Sequence, residues 1–357
     1  MGRRLVVCLD GTDNKYAATN TNVVKIFAMI DRTANDQLCY YQPGIGTMAP
    51  PGMWDKLERW WVTRLDLAIA WLLEDHVLDA YRFLMQYYED GDEIFIFGFS
   101  RGAYSARVLA GMLYKVGLLG SGNEELLPFA WDTYANEMNE DVYTGFRHTF
   151  GRKVAVAFLG VWDTVSSVGW LWDPKHYQFT KYNPTVKVFR HAVSLDERRA
   201  KFRQNLWEQK PVDGQDVLEV WFPGVHCDVG GGYKEEEAGL SKIALQWMVE
   251  HAQKAGLRFH PKALAAWLPA KSTPQSSAPD PLAIIHESLT GLWWIVELVP
   301  KRDLDPRRNF QPHWIIPLGR ARHPLDGAKV HKSVFERQAG RPEYRPTNVP
   351  SRFDQID

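Results

Sequence analysis

The sequence predicts an α/β protein in which a mostly parallel β-sheet is covered by helices on both faces. Short apolar runs such as residues 93–97 and 217–222 are typical of strands that are buried on both sides. A longer stretch, roughly residues 64–88, places its apolar side chains at steps of three and four, which indicates an amphipathic helix. Turns rich in Gly, Asp and Pro follow the runs, so strands and helices alternate along the chain, as parallel sheets require.

In chain order, the first predicted strand spans residues 4–9 and ends in the turn Asp10-Gly11-Thr12. The second spans residues 37–42, and the long helix follows it. The later predicted elements are a strand at 93–97, a helix at 103–116, strands at 153–159, 186–193 and 217–222, and a helix at 240–255. Because ligands bind at the carboxyl ends of the strands in such sheets, the residues just after these runs are the candidates for a site.

The pattern divides the chain into two parts. We expect residues 1–260 to form the catalytic domain, with about residues 45–75 as an insertion that forms a lid or one wall of the cleft. From about residue 261 the periodicity weakens, and the sequence becomes rich in Pro, Ser, Arg and His. We expect residues 261–357 to form an irregular extension packed on the main domain.

The composition excludes several classes of protein. Hydrophobic residues make up 45% and charged residues 24% of the chain, and a net charge of −1 gives no overall attraction for nucleic acid. Three widely spaced cysteines indicate neither a disulfide framework nor a zinc site, and no metal or other cofactor is predicted. The sequence shows no signal peptide and no apolar run near the roughly 18 residues of a spanning helix. We expect the chain to be cytoplasmic in the producing cell or to be delivered by a secretion system that needs no signal peptide.

One motif has the form of a nucleophile elbow. Gly98-x-Ser100-x-Gly102 lies between a predicted strand and a predicted helix. A sharp strand-to-helix turn holds such a serine in strained dihedral angles, and the flanking glycines avoid clashes where the chain doubles back. The helix that follows points its N-terminal amides at a developing oxyanion. The motif therefore predicts Ser100 as a catalytic nucleophile.

A serine nucleophile needs a base, and the base needs a carboxylate that orients it. Among 11 histidines, His226 is the best candidate for the base, because it lies in a loop just after a predicted strand and C-terminal to the serine. Asp163 follows the strand after the elbow and is the favoured acid, and Asp228 is the alternative acid. The order Ser100, Asp163, His226 is the order expected of an α/β-hydrolase.

The oxyanion hole is expected to combine two backbone donors. The amide of Arg101 is the first candidate, and the turn containing Gly11 and Thr12 is the candidate for the second, because glycine lets the backbone approach closely. A simple tight turn explains these residues equally well. Trp162 and Tyr104 are expected to line the substrate cleft.

Aromatic residues are numerous and several are clustered. The chain has 15 Trp, 17 Phe and 14 Tyr, with Trp residues grouped in residues 54–71, 170–172 and 293–294. Core packing is the ordinary explanation of each cluster. The functional alternative is a rim that meets an acyl chain or a lipid surface, since aromatic side chains favour such interfaces.

Five stretches resemble one family and follow one another in the order found in that family. They are CLDGTDN at 8–14, GFSRGAYSAR at 98–107, FLGVWDTV at 158–165, SLDERR at 194–199 and VWFPGVHCDVGGGY at 220–233. The chain thus resembles the uncharacterised α/β-hydrolase domain family that includes the first group of type VI secretion phospholipase effectors. The resemblance covers about residues 5–250 and returns at residues 344–350. It implies an α/β-hydrolase fold, a triad of Ser100, Asp163 and His226, and phospholipase A activity in the secreted members.

Three functions follow as hypotheses. The first is a lipolytic ester hydrolase that forms an acyl-enzyme and meets membranes peripherally, with an immunity or secretion partner protein if it is an effector. The second is an esterase or thioesterase of small soluble substrates, which would show no rate increase when its substrate forms micelles. The third is a non-catalytic binding protein on a hydrolase scaffold. The presence of all three triad residue types argues against the third hypothesis.

Overall fold

The computed structural model describes residues 2–11, 19–44, 61–136, 139–165, 169–170, 173–174, 177–291, 293–303 and 313–357. The helices are α1 (Asn22–Met29), α2 (Trp61–Tyr87), α3 (Arg101–Val116), a 3₁₀ helix (Glu124–Leu126), α4 (Leu127–Ala135), α5 (Glu140–Phe150), α6 (His226–Gly230), α7 (Gly239–Lys254), α8 (Pro261–Trp267), α9 (Trp293–Glu297) and α10 (Ser333–Gly340). The strands are β1 (Arg4–Leu9), β2 (Gln37–Gln42), β3 (Glu93–Phe99), β4 (Leu118–Leu119), β5 (Gly151–Arg152), β6 (Val156–Trp162), β7 (Gly169–Trp170), β8 (Asp173–Pro174), β9 (Val186–Ser194), β10 (Asp216–Phe222), β11 (Lys301–Asp303), β12 (His313–Ile315), β13 (Ala328–His331) and β14 (Phe353–Ile356).

Eight of these strands form one sheet in the order β14-β13-β10-β9-β6-β3-β1-β2, and every neighbouring pair is parallel. The chain starts in β1, moves outward to β2 at one edge, and returns to β3 on the other side of β1. Each later strand of the sheet is then added further outward. The carboxyl ends of β1 and β3 therefore form the switch point of the sheet, where ligand sites of open α/β sheets lie.

The two faces of the sheet are covered by different helices, as the alternation of side chains in β3 shows. Ile94 and Ile96 are buried beneath α2 and α3. Phe95, Phe97 and Phe99 point to the opposite face and are buried with residues of α1 and α7. Because successive side chains of a strand point to opposite faces, an apolar run without alternation fits a sheet covered on both sides. The predicted α/β fold with a mostly parallel sheet is confirmed.

The segment after residue 260 contributes more order than the sequence predicted. Its strands β13 and β14 extend the main sheet beyond β10 with parallel pairing. Val330 and Val334 are completely buried in an apolar cluster with Val193 and Trp221. Each of the two strands has only four residues, which is too short for a clear periodicity. The sheet therefore crosses the predicted boundary at residue 260.

The predicted lid region is covered only in part. Residues 45–60 lie outside the described residues, whereas 61–75 form the first part of the helix α2. This helix begins three residues before the predicted start at residue 64 and ends one residue before the predicted end. In the parts of the chain that the structure describes, no helix is both long enough and apolar enough to cross a membrane.

Candidate active site

Ser100 lies on a sharp turn between β3 and α3, at the switch point of the sheet. Its φ of 58° and ψ of −121° place it in a region that residues other than glycine rarely adopt. A Cβ atom on Gly98 would lie 2.7 Å from the Cα of Ala103, and one on Gly102 would lie 2.3 Å from the carbonyl oxygen of Leu9. The turn therefore requires both glycines of the motif, because backbone atoms occupy the space of a side chain.

The turn after β1 lies beside this elbow, because β1 and β3 are paired neighbours. The carboxylate of Asp10 accepts hydrogen bonds from the hydroxyls of Thr21 and Tyr41, each at 2.8 Å. It also accepts one from the amide of Gly11 at 2.7 Å. The Gly11 amide, a predicted oxyanion donor, is thus bound to Asp10 in this conformation. The other predicted donor of this turn, Thr12, lies outside the described residues.

His226 is the first residue of the short helix α6, which begins just after β10, and it is paired with Asp163 at the end of β6. The Nδ1 of His226 lies 2.5 Å from the Oδ2 of Asp163. The imidazole packs against the rings of Phe99 and Phe202, with centroid distances of 4.6 and 4.8 Å. A carboxylate on Nδ1 fixes the tautomer in which Nε2 can accept a proton.

Asp163 is also bound by a buried arginine, Arg322, from the C-terminal segment. The Nη1 of Arg322 lies 2.5 Å from the Oδ1 of Asp163 and 2.8 Å from the Oγ of Ser194, and Nη2 lies 3.1 Å from the Oδ2 of Asp163. Burial alone would raise the pKa of Asp163, but the charge of Arg322 and the contact with His226 hold this pKa well below its ordinary range. Asp163 is therefore ionised at neutral pH.

The position of Arg322 is fixed by residues from the last stretch of the family resemblance. The side-chain amide of Asn348 donates to the carbonyl oxygens of Arg322 and Leu195 at 2.9 and 2.8 Å. The hydroxyl of Tyr344 donates to the Oδ2 of Asp196 at 2.8 Å. The last stretch and the SLDERR stretch are thus bound to each other, and together they hold the arginine against Asp163.

Glu197 supports His226 through its backbone. The Oε2 of this buried carboxylate accepts from the His226 amide at 3.2 Å and from the hydroxyl of Ser288 at 3.1 Å. Burial alone would raise the pKa of Glu197, but hydrogen bonds and charge from Arg199 hold it below its ordinary value. The sequence prediction missed Glu197 and Arg322. The SLDERR motif was a signal for Glu197, whereas Arg322 lies in irregular sequence.

Asp228, the alternative acid, is directed to a different histidine. Its Oδ1 lies 2.6 Å from the Nδ1 of His286, and its Oδ2 accepts from the amides of Val225 and His286 at 3.1 Å. Asp228 lies on the same short helix as His226, but its carboxylate has no hydrogen bond to the imidazole of His226 among those of the described residues. Of the two candidate acids, Asp163 is the one that is hydrogen-bonded to the predicted base.

Three further predicted residues have contrasting positions. Arg101 is the first residue of α3, which places its amide at the positive end of the helix dipole beside Ser100. Trp162 and Tyr104 were expected to line the cleft, but both are completely buried. Trp162 packs in the core layer under α1 and α7, and Tyr104 packs in the layer under α2 and α3. The expectation that these two residues line the substrate cleft is therefore corrected. Although both are close in sequence to site residues, their side chains point into the core.

The donor sets also bear on metal binding. Within the described ranges, no group of three or more His, Cys, Asp or Glu side chains is arranged to hold a metal ion. The carboxylates of Asp163 and Asp10 are hydrogen-bonded to histidine, arginine, hydroxyl and amide donors.

A comparison with protein families decides the relationship of the chain. The model of the T6SS phospholipase effector Tle1-like catalytic domain matches residues 3–251, which is more than half of the chain. The chain belongs to this family. The resemblance inferred from the five motifs is confirmed, and membership places this Tle1-like domain among phospholipase-type hydrolases. The domain is also 40% identical to Uncharacterized protein YEL023C of Saccharomyces cerevisiae, over 99% of this chain and 82% of that protein.

Two solved structures are more distant. An uncharacterised protein from Pseudomonas aeruginosa is 20% identical, with a TM-score of 0.45, over 74% of this chain and 48% of that one. A structure of the Tle1 effector bound to the VgrG spike from the type 6 secretion system is 16% identical, with a TM-score of 0.39, over 67% and 53% of the respective chains. The Tle1-like domain therefore spans about half the length of these two solved relatives.

Proposed function

We propose that the Tle1-like domain hydrolyses acyl esters of phospholipids, with Ser100 as nucleophile, His226 as base and Asp163 as orienting acid. The observation that carries the proposal is the hydrogen bond of 2.5 Å between His226 and Asp163 at the edge of the sheet where the Ser100 elbow lies. Three separate strand ends supply the three residues, as in other serine hydrolases of this fold. Family membership supports a lipid ester as the substrate.

The chemistry follows from the roles of these side chains. As the Oγ of Ser100 attacks the ester carbonyl, the Nε2 of His226 takes its proton, and the carboxylate of Asp163 stabilises the imidazolium. The imidazolium then gives the proton to the leaving alcohol, which leaves an acyl group on Ser100. Water attacks this acyl-enzyme with the same base and releases the fatty acid.

The tetrahedral intermediates also need donors for the oxyanion. The amide of Arg101 is the first donor in the proposal, since the N-terminus of α3 favours negative charge. The amide of Gly11 is the second, and it must exchange the Asp10 carboxylate for the oxyanion, because the two are hydrogen-bonded in this conformation. The proposal thus requires a small movement of the turn after β1 when substrate binds.

Replacement of Ser100 tests the nucleophile. We expect Ser100→Ala to lower the rate of ester hydrolysis by at least about a thousandfold, because the acyl-enzyme cannot form. Ser105→Ala is the matched control, since Ser105 is also buried and its hydroxyl donates to a backbone carbonyl of its own helix, that of Arg101. The measurement is release of fatty acid from mixed phospholipid vesicles and of p-nitrophenol from soluble esters.

The two substrates separate the hypotheses. Release of fatty acid from vesicles by the wild type and by Ser105→Ala, but not by Ser100→Ala, supports the phospholipase proposal. Cleavage of soluble esters alone supports the esterase or thioesterase of small substrates, and no cleavage of either supports the non-catalytic binding protein. Full activity of Ser100→Ala would contradict the mechanism. Delivery by a secretion system and an immunity partner remain predictions.

A further inference from the structure

The short helix α9 exposes its large apolar side chains and buries its charged one. Trp294 and Ile295 are 44% and 62% exposed, and Leu298, just after the helix, is 60% exposed. Glu297 is completely buried. A surface helix of a globular protein normally directs its apolar residues inward and its charged residues to solvent. The pattern of α9 is therefore the reverse of that expected for a solvated surface.

The segment of residues 314–320 shows the same reversal. Trp314, Ile316 and Leu318 are 61%, 48% and 57% exposed, and the residues between them are less exposed. Trp314 lies in β12 and Ile316 just after it, so alternation along the chain places both on the solvent side, and Leu318 is exposed in the turn that follows, where its φ is 52°. Polar residues would normally occupy that side.

The two segments lie next to each other. The carboxylate of Glu297 accepts hydrogen bonds from the amides of Ala200 and Gly319 at 2.6 and 3.0 Å, and its carbonyl accepts from the amide of Leu318 at 3.2 Å. A Cβ atom on Gly319 would lie 3.4 Å from the ring of Trp294. The buried carboxylate thus joins the helix to the segment of residues 314–320 from the inside. We call the resulting surface the apolar face; it consists of Trp294, Ile295, Leu298, Trp314, Ile316 and Leu318.

Exposed arginines lie beside the apolar face. Residues 198–203 and 313–323 contain no Asp or Glu, and of their five Arg, Arg199 and Arg322 are paired with the carboxylates of Glu197 and Asp163. Arg198 and Arg320 are exposed, and the Nε of Arg198 donates to the carbonyl of Gly319 at 2.8 Å, which places this cation at the rim of the face. Anionic lipid headgroups attract such residues near a membrane.

The apolar face also adjoins the candidate active site. The ring of Trp293, the first residue of α9, packs edge-on against Phe202 with a centroid distance of 5.5 Å. Phe202 packs in turn against the imidazole of His226 at 4.8 Å. The guanidinium of Arg199 lies over both Phe202 and Trp293, at 3.6 and 5.1 Å from their centroids. Two aromatic rings therefore connect the helix of the apolar face to the base of the triad.

We propose that the apolar face docks the domain on an anionic phospholipid surface and presents the Ser100 site to its substrate. The inference rests on the proposed function, because it assigns the surface that brings this site to lipid. Exposed tryptophan with aliphatic side chains and a cationic rim fits the boundary between headgroups and acyl chains. A second copy of the chain fits less well, since a two-fold contact would bring the cationic rims together.

Vesicle binding tests the proposal with hydrolysis switched off. Every protein carries Ser100→Ala and is sedimented with vesicles of phosphatidylcholine containing phosphatidylglycerol. We expect Ile295→Glu and Ile316→Glu each to weaken binding at least about tenfold, because each loses apolar burial and adds a repelled charge. Phe129→Glu is the matched control, because Phe129 is 62% exposed like Ile295 but lies on α4. We expect this control to bind as the parent does.

Charge and catalysis give two further readouts. Arg320→Glu should weaken binding to vesicles that contain phosphatidylglycerol and leave the weak binding to pure phosphatidylcholine unchanged. With Ser100 restored, Ile295→Glu should hydrolyse vesicle phospholipid at least about tenfold more slowly but keep its rate on p-nitrophenyl esters.

Undiminished vesicle binding by both Ile295→Glu and Ile316→Glu, or an equal loss of binding in Phe129→Glu, would overturn the docking proposal. So would a dimer in sedimentation that Ile295→Glu abolishes while vesicle binding persists. If the wild type cleaves no ester at all, the proposed function fails, whereas the binding result still judges the surface.

Discussion

The short helix α6 takes part in two aspartate–histidine pairs that differ in their surroundings. His226 of this helix pairs with Asp163 at 2.5 Å, and Asp228 of the same helix pairs with His286 at 2.6 Å. In each pair the carboxylate faces the Nδ1 of the ring. By distance alone the two pairs are equivalent, so the chemistry of each must depend on what lies around it.

The surroundings of His286 favour its charged form. Its Nε2 lies 3.6 Å from the Oε2 of Glu237, so carboxylates face both ring nitrogens. Burial alone would lower the pKa of His286, but the hydrogen bond to Asp228 and the charges of Asp228 and Glu237 raise it above its ordinary value. A protonated histidine cannot accept a proton from a serine. In the other pair the negative charge of Asp163 is balanced by Arg322, and the ring of His226 lies against aromatic side chains near the elbow.

The largest expected difference is between the two aspartates. Asp163→Asn should lower kcat for p-nitrophenyl esters by about 10³–10⁴-fold, because the wrong tautomer of His226 is favoured. Asp228→Asn should chiefly lower the free energy of unfolding, by about 1–3 kcal/mol, because it removes a buried hydrogen-bonded charge. The measurements are steady-state kinetics and urea denaturation of both variants.

Asp163→Asn also leaves the buried guanidinium of Arg322 without its partner, so kinetics must be measured well below the unfolding temperature of each variant. Near-ultraviolet circular dichroism confirms the fold at the assay temperature. A loss of kcat in Asp228→Asn as large as that in Asp163→Asn would show that both aspartate–histidine pairs take part in catalysis.

A smaller effect is expected from the cation that distinguishes the first pair. In Arg322→Gln the full negative charge of Asp163 acts on His226 and stabilises the imidazolium. The acidic limb of kcat/KM against pH should therefore move to higher pH, and in Arg322→Lys, which keeps a positive charge, the shift should be smaller. Breaking this buried pair should also cost about 3–5 kcal/mol of unfolding free energy.

Arg337 supplies the control for a buried arginine. It is 6% exposed, like Arg322, and donates to the carbonyl oxygens of Pro281 and Ala283, remote in sequence from Asp163. Arg337→Gln should destabilise the protein and leave the pH profile unchanged. An unshifted profile in Arg322→Gln would mean that Arg322 serves packing alone.

Much of the fold could be predicted because its signals are local. The predicted strand at 186–193 ends one residue before β9 does, and the predicted helix at 240–255 begins and ends one residue after α7 does. Buried strands give apolar runs, and the turns that follow them carry Gly and Asp, so both signals occur within ten residues. The strands β13 and β14 were missed because four residues with mixed polarity give no such run.

The candidate site was also predictable only in part. Ser100, Asp163 and His226 could be chosen because each follows a strand, and strand ends of a parallel sheet meet at one edge. Arg322 could not, because it lies 159 residues from Asp163 in sequence without periodicity. The burial of Trp162 and Tyr104 depends on which face of its element each occupies. The packing of the sheet and of the elbow determines that face, and no local sequence pattern predicts it.

The smallest expected effect concerns the second pair alone. Because the pKa of His286 is raised in the folded protein, its contribution to stability is complete below its unfolded pKa of about 6.5. The contribution is lost as pH rises through the folded value. The wild type should therefore be more stable than His286→Asn by about 1 kcal/mol or more at acid pH, and the difference should shrink in alkali.

His331 provides a comparison in which the pH dependence has the opposite sign. Burial and the charge of Lys332 lower the pKa of His331 to about 4, so this histidine stays neutral in the folded protein across the range in which His286 titrates. The unfolded chain takes up a proton at His331 near pH 6.5, so the stability of the wild type relative to His331→Asn should fall as pH drops below 6.5, which is the reverse of the dependence expected for His286→Asn. Urea denaturation at a series of pH values compares the two variants, and ester hydrolysis by His286→Asn should remain near the wild-type rate. If His286→Asn instead loses activity while its stability difference does not vary with pH, the second pair takes part in catalysis, and the distinction between the two pairs is lost.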